Sequence, residues 1–110
     1  MCSALVASEA GLSIRSMSDI TDALGATFGF DGLILAQTDM ATAFFDLKTG
    51  LAGELFQKFQ NYKLRLCLIV PEPAGHGERF TELAREHSDH HLIRIVRSRA
   101  DADAWFKGDC

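Results

Sequence analysis

Residues 44–62 read FFDLKTGLAGELFQKFQNY, and their spacing decides how the chain folds. Apolar side chains fall at 44, 47, 51, 55, 59 and 62, close to the 3.6-residue helical period, so one side of the stretch is expected to face a core. Four of the eight phenylalanines lie here, which makes that core aromatic. Gly50 and Gly53 interrupt good helix formers, each at a cost of about 1 kcal/mol relative to alanine. A tight turn or a close backbone approach is expected to place them. The stretch reads as a short helical turn over 43–47, a break at 48–50 and a longer helix to about Gln60.

An inner strand is expected on each side of it. Upstream, Leu33 to Ala36 is a continuous apolar run, the pattern of a central parallel strand covered on both faces. Downstream, Lys63 to Val70 alternates and then turns wholly apolar, until Pro71 and Pro73 stop it. Further out, Glu78 to His87 has Phe80, Leu83, Ala84 and His87 on one helical face. Leu92 to Val96 is a third strand, and Ser98 opens a last helix carrying Ala102, Trp105 and Phe106, with Gly108 at its end. At the amino end, Ala4–Ala7 and Leu12–Arg15 flank a polar SEAG break and read as a β-hairpin. Ser16 and Asp19 have the form of a capping box, opening a helix striped by Met17, Ile20, Leu24 and Phe28 and closed by Gly29.

The resulting order is ββαβαβαβα, a single α/β domain over 1–110 with a mixed, mostly parallel sheet covered by helices. Serial strand–helix–strand crossovers demand parallel strands with right-handed connections. A chain of 110 residues, 47% hydrophobic and 24% charged, has the size and composition of one ordinary globular domain. A net charge of −4 argues against a nucleic-acid partner, which calls for a basic face. No apolar run reaches membrane-spanning length and no targeting segment leads the chain, so a cytoplasmic location is expected. Cys2, Cys67 and Cys110 are scattered and read as reduced thiols.

In open α/β sheets, sites form beyond the carboxyl ends of the strands. The loops at that edge are 37–50, 71–78 and 97–99. They bring Asp39, Asp46, Lys48, Thr49, Gly50, Glu72, His76, Ser98 and Arg99 to one rim, of which Asp46, Lys48, Thr49, Gly50, Glu72, His76 and Arg99 form the candidate binding surface. Thr49 and Gly50 stand where the main helix begins. Two readings stay open there: a threonine that only caps the helix, or amides that receive an anion on a regulated surface. As a cap, Thr49 would be replaceable by aspartate at little cost. His87, His90 and His91 lie close to Asp89, but adjacent strand residues point to opposite faces, and no metal or other cofactor is expected. There is no G-x-S-x-G, no P-loop and no G-x-G-x-x-G, so no enzyme is expected either.

The run from Phe44 to Val70, FFDLKTGLAGELFQKFQNYKLRLCLIV, resembles the signature of a small bacterial family of domains of unknown function, family 4180. In that family FFDLKTGLAGE leads to QKF-x-NY and an apolar strand. The loop PEPAGHGE and the first helix depart from the family pattern. More distantly, the layout is similar to the STAS domains of anti-sigma-factor antagonists (SpoIIAA-like), in which a serine at the start of the second helix is phosphorylated by a partner kinase. Phe45, Asp46, Thr49, Gly50 and Leu51 are similar to that loop with extra residues inserted, and the double serine is missing. This resemblance implies a non-enzymatic regulatory module, phosphorylated at Thr49 and binding a protein partner. The alternative is a domain that binds a small anionic molecule at the carboxyl edge. Trp105 and Phe106 are taken as aromatic surface in need of cover, so a homodimer is expected.

Overall fold

The three inner runs are mostly apolar, and they pair with one another. In the computed structural model, which describes residues 4–87 and 90–108 and only the backbone of Leu47, strands β1 (Ala4–Val6), β2 (Gly32–Ala36), β3 (Arg65–Ile69) and β4 (Ile93–Val96) form one sheet. Their order is β1-β2-β3-β4, and every pairing is parallel. The helices are α1 (Ala7–Ala10), α2 (Met17–Thr27), α3 (Thr42–Phe45), α4 (Leu51–Asn61), α5 (Glu78–Glu86) and α6 (Arg99–Gly108), with 3-10 turns at Gln37–Asp39, Leu47–Thr49 and Pro73–His76.

This order fixes which face each helix covers. The three crossovers step in the same direction across the sheet, and right-handed crossovers that do so all lie on one side. Accordingly Ile20 and Leu24 of α2, Leu55 and Phe59 of α4 and Phe80 of α5 share a buried cluster with Leu33, Leu35, Leu66, Leu68 and Ile93. The alternate strand residues Ile34 and Cys67 face the other way and pack with Ala102, Trp105 and Phe106 of α6. Because α6 follows the last strand, no crossover rule holds it to the first face.

Three expectations change at the level of detail. The amino-terminal hairpin is absent, and with it the mixed character of the sheet. Gly11, at φ 71°, closes SEAG as a turn of helix, so the chain does not reverse onto β1. The segment around Ile14 makes instead a single parallel bridge to Met40, held by Ile14 N–H to the Asp39 carbonyl (2.8 Å) and Ala41 N–H to the Ile14 carbonyl (3.0 Å). Met17, Phe28 and Tyr62 end outside the core, 47%, 52% and 56% exposed; each sits at a helix end, where the stripe runs past the sheet. Trp105 and Phe106, by contrast, are buried within their own chain. The Arg65 guanidinium lies over both rings, 5.4 and 4.7 Å from their centroids, and Arg94 lies 5.3 Å over Trp105. The aromatic surface that motivated a homodimer is therefore already covered.

Candidate functional site

The edge loops at the carboxyl ends of the strands are built by distinct local devices. After β2, the Asp39 carboxylate accepts the Ala36 N–H at 2.9 Å and bends the chain into the first 3-10 turn. After α3, Asp46 accepts the N–H of Lys48 at 3.1 Å, and Gly50 takes φ 77° to start α4. Thr49 is the fastener of this corner. Its hydroxyl lies 2.8 Å from both the Ala43 and the Asp46 carbonyl oxygens, which share its one proton. As an acceptor it makes only a long contact, 3.4 Å, with the Leu51 N–H. The residue is thus a donor that ties α3 to α4, where a helix cap would mainly accept. Lys48 is exposed beside it.

His76 is brought to this rim from the next loop. Its ring stacks on Phe45 at 3.8 Å and 10°, and its Nε2 donates to Gln37 Oε1 at 3.2 Å. Phe80 meets the Phe45 ring edge-on at 5.1 Å. Thr42, Phe45, Asp46, His76, Glu78 and Arg79 are among the residues around a cleft of about 570 Å³ here. Gln37 belongs to no motif, and the separation of 31 positions between Phe45 and His76 hides the stack from any reading of local spacing.

A second cleft, of about 450 Å³, lies at the carboxyl ends of β3 and β4. Ile95 and Ala84 contribute apolar wall, and Glu72, Thr81, Arg85 and Arg97 bring polar groups. Its position follows from the topology. The chain leaves β3 towards the face covered by α5 and leaves β4 towards the face covered by α6, so the two loops part on opposite sides of adjacent strands. Such a switch point opens the crevice in which open α/β sheets hold ligands. Arg97 is exposed. The Thr81 hydroxyl donates to the Gly77 carbonyl at 2.9 Å.

The expected rim is therefore divided. Asp46 and His76 meet in one cleft, and Glu72 stands between His76 and the switch-point cleft. Arg99 belongs elsewhere: it opens α6, pairs with Asp103 at 2.9 Å, and borders a shallow depression with Ile34 and Phe106 on the opposite sheet face. Arg85 and Arg97 were not singled out from the sequence. Their signal was weak, since each is one arginine in a charged segment, and only the strand order places them together. Among the described residues no group of three or more His, Cys, Asp or Glu side chains is arranged to hold a metal ion; Asp89 lies outside the described residues. No helix among the described residues is long and apolar enough to cross a membrane.

These features define a class: a parallel four-stranded α/β domain with its loop-lined clefts at the carboxyl edge. More particularly, the chain belongs to the family described as Domain of unknown function (DUF4180), which matches residues 2–106. No curated protein and no solved structure matches the chain.

Proposed function

We propose that this domain is a non-enzymatic regulatory module that binds a small anionic molecule in the switch-point cleft between β3 and β4. The observation that carries the reading is the convergence of Arg85 and Arg97 on a crevice of about 450 Å³, a volume within the range of small-molecule sites. Guanidinium groups suit carboxylate and phosphate because they offer paired donors in a planar fork. Glu72 also lines the cleft and would select ligands that also carry a donor group. The apolar floor at Ile95 and Ala84 favours a ligand with a carbon skeleton over a bare ion.

The test is a nuclear magnetic resonance titration with inorganic phosphate, succinate and citrate. Amide shifts concentrated at Gly75, Thr81, Ala84 and Arg97, saturable for an organic anion and lost in Arg97→Gln, are the expected result. Shifts scattered over the surface, or no saturable shift with any of the three at about 10 mM, would overturn the proposal; that ceiling is roughly where binding falls below 3 kcal/mol. Phosphorylation of Thr49 with recognition by a protein partner is the less supported reading, because the Thr49 hydroxyl is committed to two backbone carbonyls.

A further inference from the structure

We propose that His90 is an acid-sensitive latch on the turn joining α5 to β4, and that protonation of its ring releases the first residues of that strand. Its Nδ1 accepts two backbone N–H groups, from Leu92 at 3.1 Å and from Ile93 at 3.0 Å. A ring nitrogen with two donors aimed at it has to present its lone pair, so the native imidazole is neutral with its proton on Nε2. Imidazolium carries a proton on both nitrogens. Protonation therefore turns an acceptor of two hydrogen bonds into a donor that confronts two donors.

The surroundings oppose the cation as well. Among the described residues, the titratable and charged groups facing His90 are His87 at the end of α5, with rings 5.2 Å apart, His91 on the turn, stacked at 4.9 Å, and Arg94 of β4. Arg94 is fastened to the same residue, its Nε donating to the His90 carbonyl at 2.8 Å. All three are cationic when charged. Burial, and then these three neighbours, hold the His90 pKa below the ordinary histidine value. The sign follows from linkage. The native state binds its proton less readily than the unfolded chain does, so the stabilisation is complete above the unfolded pKa of about 6.5. It is lost as pH falls from there through the lower native value.

What the latch holds is the start of the β3–β4 ladder. The Leu92 carbonyl accepts the Leu66 N–H at 2.8 Å, and Ile93, fully buried, pairs with Leu66. Release would begin at the amino end of β4, the strand whose other end frames the switch-point cleft. The inference does not depend on that cleft having a ligand.

Amide hydrogen exchange at pH 7.5 and pH 5.0, corrected for the intrinsic rate, reads the latch directly. In the wild type, protection of Leu92 and Ile93 should fall about tenfold between the two conditions, the order expected for losing a hydrogen bond, while Leu68 in mid-β3 stays level. His90→Asn places a non-titrating carbonyl oxygen near the Nδ1 position, and its protection at Leu92 and Ile93 should not change with pH. Equal protection of the wild-type amides at both pH values would overturn the proposal, and so would the same acid loss in the asparagine variant. Should that variant not fold, the wild-type His90 ring resonances decide: an Nε2-protonated ring titrating below the ordinary value supports the latch, and one titrating at or above it refutes it.

Discussion

Thr49→Asp puts a carboxylate where the native side chain gives away its only hydroxyl proton. Read as a plain helix cap, the position would tolerate aspartate, which caps as well as threonine. The geometry argues otherwise, because the hydroxyl lies 2.8 Å from the carbonyl oxygens of both Ala43 and Asp46. An ionised carboxylate can only accept, so the variant loses the donated bond and sets negative oxygen against two carbonyls. Loss of the bond costs about 1 kcal/mol, and the unfavourable contact adds roughly as much at this exposed corner. A total of about 2 kcal/mol lowers the melting temperature of a domain of this size by about 9 °C. Thr49→Ser keeps the proton and should melt near the wild type; Thr49→Val loses it without adding charge and should fall between. Thermal unfolding followed by circular dichroism ranks the three. An aspartate variant as stable as the wild type would refute the donor role and restore the cap. The same reasoning bears on phosphorylation, since a phosphothreonine ester oxygen has no proton to donate. A switch at Thr49 would act by unfastening α3 from α4 rather than by adding charge to a fixed surface.

Three further outcomes follow from packing and burial. A Cβ at Gly53 would meet nothing within 4 Å, so Gly53→Ala should stabilise α4 by about 1 kcal/mol, seen as a rise in melting temperature; a fall would mean that the glycine is needed for packing. At Gly32 a Cβ would collide with the Arg65 carbonyl and come within 2.7 Å of Phe106 Cε1, so Gly32→Ala should cost about 1–3 kcal/mol in denaturant midpoint. Trimming Phe106 to leucine should rescue it only in part, because the carbonyl remains. Burial pushes the Cys67 thiol from its ordinary 9.0 up to about 12, so at pH 8 it should resist iodoacetamide until the protein unfolds. Above about pH 9 the unfolded thiol ionises first, and that shift withdraws stability as pH rises. Rapid labelling of Cys67 itself in the native protein, told apart from Cys2 and Cys110 by peptide mapping, would contradict the buried, protonated state.

Much of the fold was legible because its inner strands are short, mostly apolar runs. Leu33–Ala36, Lys63–Val70 and Leu92–Val96 each overlap an observed strand, with differences of a residue or two at the ends. Pro71 and Pro73 punctuate the middle one as expected. The first hairpin misled because Leu12–Arg15 alternates like a strand while only Ile14 finds a partner, and that partner is Met40, 26 residues on. Alternation reports which side chains can be buried in turn; it does not report which backbone will be alongside. Gly50 and Gly53 show the same limit from another direction. They read alike in sequence, yet one takes a left-handed conformation at the helix start and the other sits inside α4 beside open space.

The candidate site was legible only as an edge. Knowing that the strands are parallel sends the reader to their carboxyl ends, and Asp46, Glu72 and His76 are there. Which of several edge loops form a crevice depends on where the covering changes sides, and that choice is made by α6. Its apolar positions Ala102, Trp105 and Phe106 would pack equally well on either face as far as periodicity is concerned. The first face, however, is already filled by α2, α4 and α5, because all three crossovers step the same way across the sheet. Only the face bearing Ile34 and Cys67 is left for the last helix. Once α6 goes there, the loops after β3 and β4 must separate, and Arg85 and Arg97 face a common cleft. Strand order thus carries the information that residue identity lacks: the same two arginines on a sheet whose last helix joined the others would border no switch point.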